Sequence, residues 1–298
     1  MIYPTKRKIL SVLTATVLIT LGSFAYAGTK ECEQPRGLTF SMVPLGDVER
    51  AERLYSPLLK RIEKMTSLPV TIVRPSSYAS VVEGLLGDRI DIALLGPATY
   101  IEARSGNERI TPFATTEKNE SSLSLKGPYY ESLLVVLADS RYFDVAALKG
   151  ARLALTDPGS TSGALLPRKQ MSARLGIPLE KHFGTVFFSG NHGKSLQALL
   201  NGQADAAFIS SSQLEKAKTA GQLSDGKIRI LWNSEPIPYD PFVYRGQLCK
   251  SLRSKIDAAF LGDESTNLLH ELLDDLKAKR FIRIEDSHYE GIRKILGP

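Results

Sequence analysis

Residues 90–95, IDIALL, are apolar but for one aspartate and end at Gly96-Pro97. A run this short and this apolar, closed by a glycine and a proline, reads as a strand buried on both faces, the kind found in sheets covered by helices on each side. Its surroundings fit that reading. Residues 37–43 form a strand, and 47–66 follow with helical spacing at Ala51, Leu54, Leu58, Leu59 and Ile62. Residues 70–73 are a second short strand and 79–86 a helix, and 98–103 begin another helix after the Gly-Pro stop. Such a βαβαβ run implies a parallel sheet with right-handed crossovers.

The pattern then returns. Residues 151–156 read as a strand, 162–175 as a helix, 185–188 as a strand, 192–201 as a helix, 204–209 as a buried strand and 211–218 as a helix. Between the two blocks, residues 129–138 are β-rich. After the second block, 228–232 lead into the proline-stiffened Ile237-Pro238-Tyr239-Asp240-Pro241, and helices are expected at 250–261 and 265–279. The expected fold is α/β with two lobes, each a mixed, mostly parallel sheet flanked by helices, and two crossover strands forming a hinge. The first lobe comprises residues 28–128 plus 241–298 and the second 129–240. Ligands of open α/β sheets sit at the carboxyl ends of strands. Gly96-Pro97 and Asp157-Pro158 both fall at such ends, so a cleft between the lobes would collect them.

The first 27 residues stand apart from this pattern. Lys6, Arg7 and Lys8 make a basic start, residues 9–21 an apolar run broken only by Ser and Thr, and Ala25-Tyr26-Ala27 an A-x-A site. This is the form of a secretory signal cleaved after Ala27, with an uncleaved anchor as the alternative. No later run approaches a membrane span, and Lys30-Glu31 before Cys32 does not make a lipid-attachment site. Loss of the leader removes three positive charges and no negative ones, taking the formal net charge from +6 to +3. That excess is mild, without a basic tract, and it argues against a nucleic-acid partner. Cys32 and Cys249 are the two cysteines; in an oxidising compartment they can pair and staple the ends of the chain together.

The stretch TDPGSTSGALLP, residues 156–167, sets small hydroxyl residues at the mouth of a helix. Helix starts carry unsatisfied N–H groups and partial positive charge, so this is either an ordinary N-cap or an anion site. Nothing in the chain matches a G-x-S-x-G nucleophile elbow. Gly193-Lys194-Ser195 lacks the first glycine of a phosphate-binding P-loop, where Phe188 stands, and no two of the four histidines pair at i, i+4.

Five pieces together resemble one family: SSYASVVEGLLGDRIDIALLGPATYIEA, PYYESLLVV, ALKGARLALTDPGSTSGALLP, FFSGNHGKSLQALLNGQADAAF and IPYDPFVYR. They are similar to the periplasmic phosphonate- and phosphite-binding proteins of ABC transporters, with STSG and IPYDP the most specific matches. The resemblance implies a type II periplasmic binding protein that captures a small phosphorus oxyanion, phosphonate, phosphite or phosphate, for an ABC permease. It implies a periplasmic monomer with no cofactor, no metal and no catalysis. A sensor lobe serving a histidine kinase or chemoreceptor, or a binder of another small anion, is the alternative. By the same resemblance Ser160, Thr161 and Ser162 supply hydroxyl donors, joined by backbone N–H groups of Thr161, Ser162 and Gly163. Tyr78 and Tyr130 line the cleft, His192 lies near the anion, and Asp240 accepts from a P–OH or a ligand ammonium. The alternatives for these last residues are a packed hinge aromatic, a helix cap and a turn aspartate. Ser212 stands where aminoethylphosphonate binders carry a glutamate, which points away from an ammonium-tailed cargo.

Overall fold

The computed structural model describes residues 32–297, apart from positions 45, 119, 122 and 124, together with Met1. Met1 aside, the expected leader and its cleavage site after Ala27 lie outside the described residues.

The chain lays down β1 (Leu38–Met42), β2 (Val70–Ile72), β3 (Ile92–Leu94) and β4 (Thr111–Lys118), crosses by β5 (Tyr129–Tyr130), and builds β6 (Ser132–Leu137), β7 (Arg152–Leu155), β8 (Thr185–Phe188), β9 (Ala206–Ser210) and β10 (Ile228–Asn233). It returns by β11 (Ile237–Pro238) to add β12 (Phe242–Tyr244) and β13 (Ala278–Arg283) to the first set. One sheet has six strands in the order β13-β4-β12-β3-β1-β2; the other has five, β10-β6-β9-β7-β8. Each is parallel where a βαβ block built it, β1 with β2 and β3, β7 with β8 and β9. Each is antiparallel where the chain enters or returns, at β12, β13, β6 and β10. The two connections lie side by side: β5 and β11 pair through Ile237–Tyr130 and Pro238–Tyr129, and Tyr239 N–H donates to the Pro128 carbonyl at 2.7 Å.

Helices cover both faces of each sheet. The helix Val48–Thr66 starts where the Asp47 carboxylate accepts the Arg50 N–H at 3.0 Å, and it buries Leu58 and Ile62 against Phe40 and Phe242. A second cluster behind the same sheet gathers Val81, Leu85, Leu95 and Tyr100, and two more flank the five-stranded sheet. A fifth, of Tyr130, Leu166, Ile237 and Ile292, packs beneath the paired connections. Burial of this kind contributes about 25 cal/mol per Å² of apolar surface. Two elements differ from the expectation at the C-terminus. The helix expected over 265–279 breaks at Leu269 into Ser265–Leu268 and His270–Asp275. Ala278, Lys279 and Arg280 become a strand because the edge of β4 offers partners, Ala278 opposite Lys118 and Phe281 opposite Thr116.

Cys32 and Cys249 form a disulfide across 217 positions of sequence. Around it Cys249 N–H donates to the Glu33 carbonyl at 3.0 Å, and the Arg245 guanidinium, only 4% exposed, binds Glu33 and Asp91 at 2.7 Å each. Closing so long a loop removes about 5 kcal/mol of entropy from the unfolded chain in the loop-closure model. Reduction with a thiol is therefore expected to lower the thermal midpoint by about 10 °C; an unchanged midpoint would mean that the bridge constrains nothing.

Candidate functional site

Between the two sheets lies a cavity of about 100 Å³. Side chains from the six-stranded half (Tyr78, Lys118), the five-stranded half (Ser160, Ser162, His192) and the connections (Tyr130, Asp240) face it together.

The serine loop follows β7. Asp157 accepts the Gly159 N–H at 2.9 Å through its side chain and the Ser160 N–H at 2.9 Å through its carbonyl, folding the turn. Ser160 is the N-cap, its hydroxyl oxygen accepting the Gly163 N–H at 3.1 Å. The helix that follows is wound as π turns, Thr161–Leu165 and Pro167–Met171, before tightening to α at Ser172–Leu175; Leu165 N–H reaches back five residues to the Ser160 carbonyl at 3.0 Å. Such wide turns concentrate at functional sites. Gly163 is required by close approach: a Cβ there would stand 2.1 Å from Thr156 Oγ1. Thr161 and Ser162 hold the first helical positions, so their N–H groups have no carbonyl within the helix to reach.

His192 opens the helix His192–Leu200, capped by the Asn191 side chain. Its Nδ1 receives the Ser210 N–H at 3.2 Å and lies 3.1 Å from Thr156 Oγ1, which assigns the ring proton to Nε2. Nε2 then faces Ser162 Oγ at 3.2 Å and Ser160 Oγ at 3.5 Å. Burial lowers the imidazole to about 4, so the ring is neutral at pH 7 and acts as a donor without charge. Burial also pushes the phenols of Tyr78 and Tyr130 well up, the first facing Ser160 and the second Ser162.

The two halves touch at this loop. Thr161 Oγ1 accepts the Ala98 N–H at 2.9 Å, at the start of the helix Pro97–Gly106, and Lys216 reaches across to Asp275 at 2.6 Å while Arg50 holds the same carboxylate at 2.7 Å. Asp240 keeps part of its surface open to the cavity although it sits deep between the halves. Burial raises its carboxyl to about 7, against the pull of the Lys118 ammonium.

A family model described as an ABC transporter, phosphonate, periplasmic substrate-binding protein matches residues 40–289. The chain belongs to that family. It is 28% identical to the phosphonates-binding periplasmic protein of Escherichia coli, over 97% of this chain and 84% of that one. It is 26% identical to the phosphate-import protein PhnD of Mycolicibacterium smegmatis, over 95% of this chain and 94% of that one. A binding-protein component of a phosphonate ABC transporter from Pseudomonas aeruginosa superposes with a TM-score of 0.78 at 25% identity, covering 88% of this chain and 86% of that one. PhnD1 from Prochlorococcus marinus, solved in complex with methylphosphonate, superposes with a TM-score of 0.76 at 20% identity, covering 88% and 97%.

Of the family positions assigned from sequence, Tyr78, Tyr130, Ser160, Thr161, Ser162, His192 and Asp240 all line the cavity. Gly163 does not: its N–H goes to Ser160 and its carbonyl accepts the Thr156 N–H at 3.0 Å. The cavity also contains Tyr55, Lys118, Gln213, Lys216 and Tyr239, to which sequence reasoning gave no role. Lys118 ends a strand of threonines and is buried there, a placement that no periodicity signals.

His192 and Asp240 titrate in opposite senses. His192 is neutral in the fold but protonated in the unfolded chain between about 4 and 6.5, so its contribution to stability is lost as pH falls through that window. Asp240 is protonated in the fold but ionised in the unfolded chain between 3.8 and about 7, so its contribution is lost as pH rises. Asp240→Asn is therefore expected to gain on the wild type by on the order of 4 kcal/mol between pH 4 and pH 7. Urea unfolding followed by the single tryptophan, Trp232, checks this, and parallel curves for the two proteins would remove the buried carboxyl from the account.

Proposed function

We propose that the protein captures a small phosphorus oxyanion, phosphonate, phosphite or phosphate, in this cavity and presents it to the permease of an ABC transporter. The observation that carries the reading is the set of neutral donors converging on one point: the hydroxyls of Ser160 and Ser162, the first helical N–H groups and the uncharged His192 Nε2–H. An oxyanion leaving water must recover its hydrogen bonds, and charge-assisted bonds from preorganised neutral donors supply them without a fixed countercharge. Relatives named for phosphate import, phosphonate binding and phosphite binding support the cargo class. A monomer without catalytic activity, exported by a leader cut after Ala27, completes the reading.

In this reading residues 28–128 with 241–298 form one lobe and 129–240 the other, hinged at the β5–β11 pair. Closure is favoured by as much as the ligand binds the closed state better. Thr161 serves closure as well as binding, since its hydroxyl oxygen caps a helix of the opposite lobe and its proton is free to point at the ligand. Thr161→Ala is expected to weaken binding about tenfold, with Thr161→Ser restoring most of it; equal affinities by calorimetry would remove Thr161 from the site.

A thermal-shift panel of phosphate, phosphite, methylphosphonate and a sulfonate tests the cargo class. A ligand at 100 times its dissociation constant adds about 2.7 kcal/mol, a rise of roughly 5 °C or more for a chain of this size. A shift with phosphorus oxyanions and none with the sulfonate supports the reading, and a shift with the sulfonate alone overturns it.

A further inference from the structure

Lys118 belongs to a different stretch of the cavity wall from the serine loop. Tyr130 faces Ser162, the rings of Tyr130 and Tyr239 lie 5.1 Å apart, and Lys118 Nζ sits 4.4 Å from the centre of the Tyr239 ring. Two tyrosines thus separate the lysine from the anion donors. Lys118 is 3% exposed and makes no ion pair among the described residues. The carboxylates and cations around it are Glu215, Lys216, Asp240 and Lys277, and of these Lys216 is held by Asp275.

The hydroxyls of Tyr55 and Tyr239 are buried nearby without a hydrogen-bond partner, although Tyr239 faces Ser212. Both tyrosines line the same cavity. Here the wall offers an ammonium without an ion-pair partner and two phenol O–H donors without a hydrogen-bond partner among the described residues, and buried donors left unpaired are costly. An acceptor-rich anion satisfies all three, whereas an ammonium would meet the like charge of Lys118. Space continues in that direction. The cavity shares Tyr55, Gln213 and Lys216 with a neighbouring groove of about 600 Å³ edged by Arg50, Lys194 and Lys277 as well as Asp47 and Asp275.

We propose that Lys118 is the specificity determinant of the cleft, selecting a cargo whose phosphorus head carries a second oxyanion, carboxylate or phosphoryl, on its substituent. This rests on the phosphorus-oxyanion reading above and narrows it. Titration calorimetry of the ligand-free protein at pH 7 would compare methylphosphonate, neutral-tailed acetonylphosphonate, phosphonoacetate, methylenediphosphonate and 2-aminoethylphosphonate. Phosphonoacetate or methylenediphosphonate is expected to bind at least ~10-fold more tightly than acetonylphosphonate, with 2-aminoethylphosphonate weakest. Which of the two wins distinguishes carboxylate from phosphoryl. Lys118→Met, or Lys118→Gln if the first does not fold, is expected to bring the ratio of anionic to neutral tails close to one. Equal binding of anionic and neutral tails by the wild type overturns the proposal while leaving the cargo class intact, and so does a ratio that survives both substitutions. Silence from every phosphonate, methylphosphonate included, overturns the cargo class and this proposal with it.

Discussion

Pro97 has no N–H and Gly96 has no side chain, so the helix Pro97–Gly106 reaches its first donor, Ala98, with nothing of its own to cap it. Thr161 does so from the other half of the molecule, and the rest of the cleft depends on that contact. The bond sets the Ser160–Gly163 turn against Gly96. It also brings the backbone of Gly159 so close to Tyr78 and Thr99 that a Cβ at 159 would stand 3.1 Å from Tyr78 Cβ. The contact therefore fixes how the two halves meet, and the Lys216–Asp275–Arg50 chain joins them at a second point.

The cavity wall is chemically divided. Around the serine loop the wall presents hydroxyls, amides and a neutral imidazole as donors, and its buried Asp157 side chain is taken up by the Gly159 N–H. Around Tyr239 it buries an ammonium, with Asp240 within electrostatic reach but outside ion-pair distance. Burying unpaired charge is expensive, and proteins retain such groups where a ligand or partner completes them. The paired connections carry Tyr130 at one edge and lead directly into Tyr239 and Asp240 at the other, so the residues between the two regions belong to the segment about which the halves would turn.

Much of this architecture could be read from the sequence because the βαβ blocks announce themselves. Ile92–Leu94 and Ala206–Ser210 are apolar throughout or nearly so, and Gly, Pro, Ser or Asn mark most of the helix starts around them. The strands that could not be read fail that test. β4 buries Thr115, Thr116 and Lys118, polar residues held inside by tertiary packing rather than by their own hydropathy. β13 spells Ala-Lys-Arg, good helix formers made extended by a waiting sheet edge. The site divides similarly. Its serine loop, His192 and Asp240 sit in recognisable motifs, whereas Lys118 and the orphaned phenols of Tyr55 and Tyr239 become visible only when distant segments are brought together. Sequence patterns report what a residue prefers, and functional sites are where that preference is overridden.

The bridge between Cys32 and Cys249 has a topological consequence. The loop it closes contains the whole five-stranded sheet and every strand of the other except β13. Both connections between the halves lie inside it as well. A peptide bond cut anywhere within that loop leaves a single covalent molecule, because the fragments on either side of the cut stay tied through sulfur. Exposed turns between the halves can therefore be nicked by a protease without the two parts drifting away from each other, and the damage appears as separate chains only after the bridge is reduced.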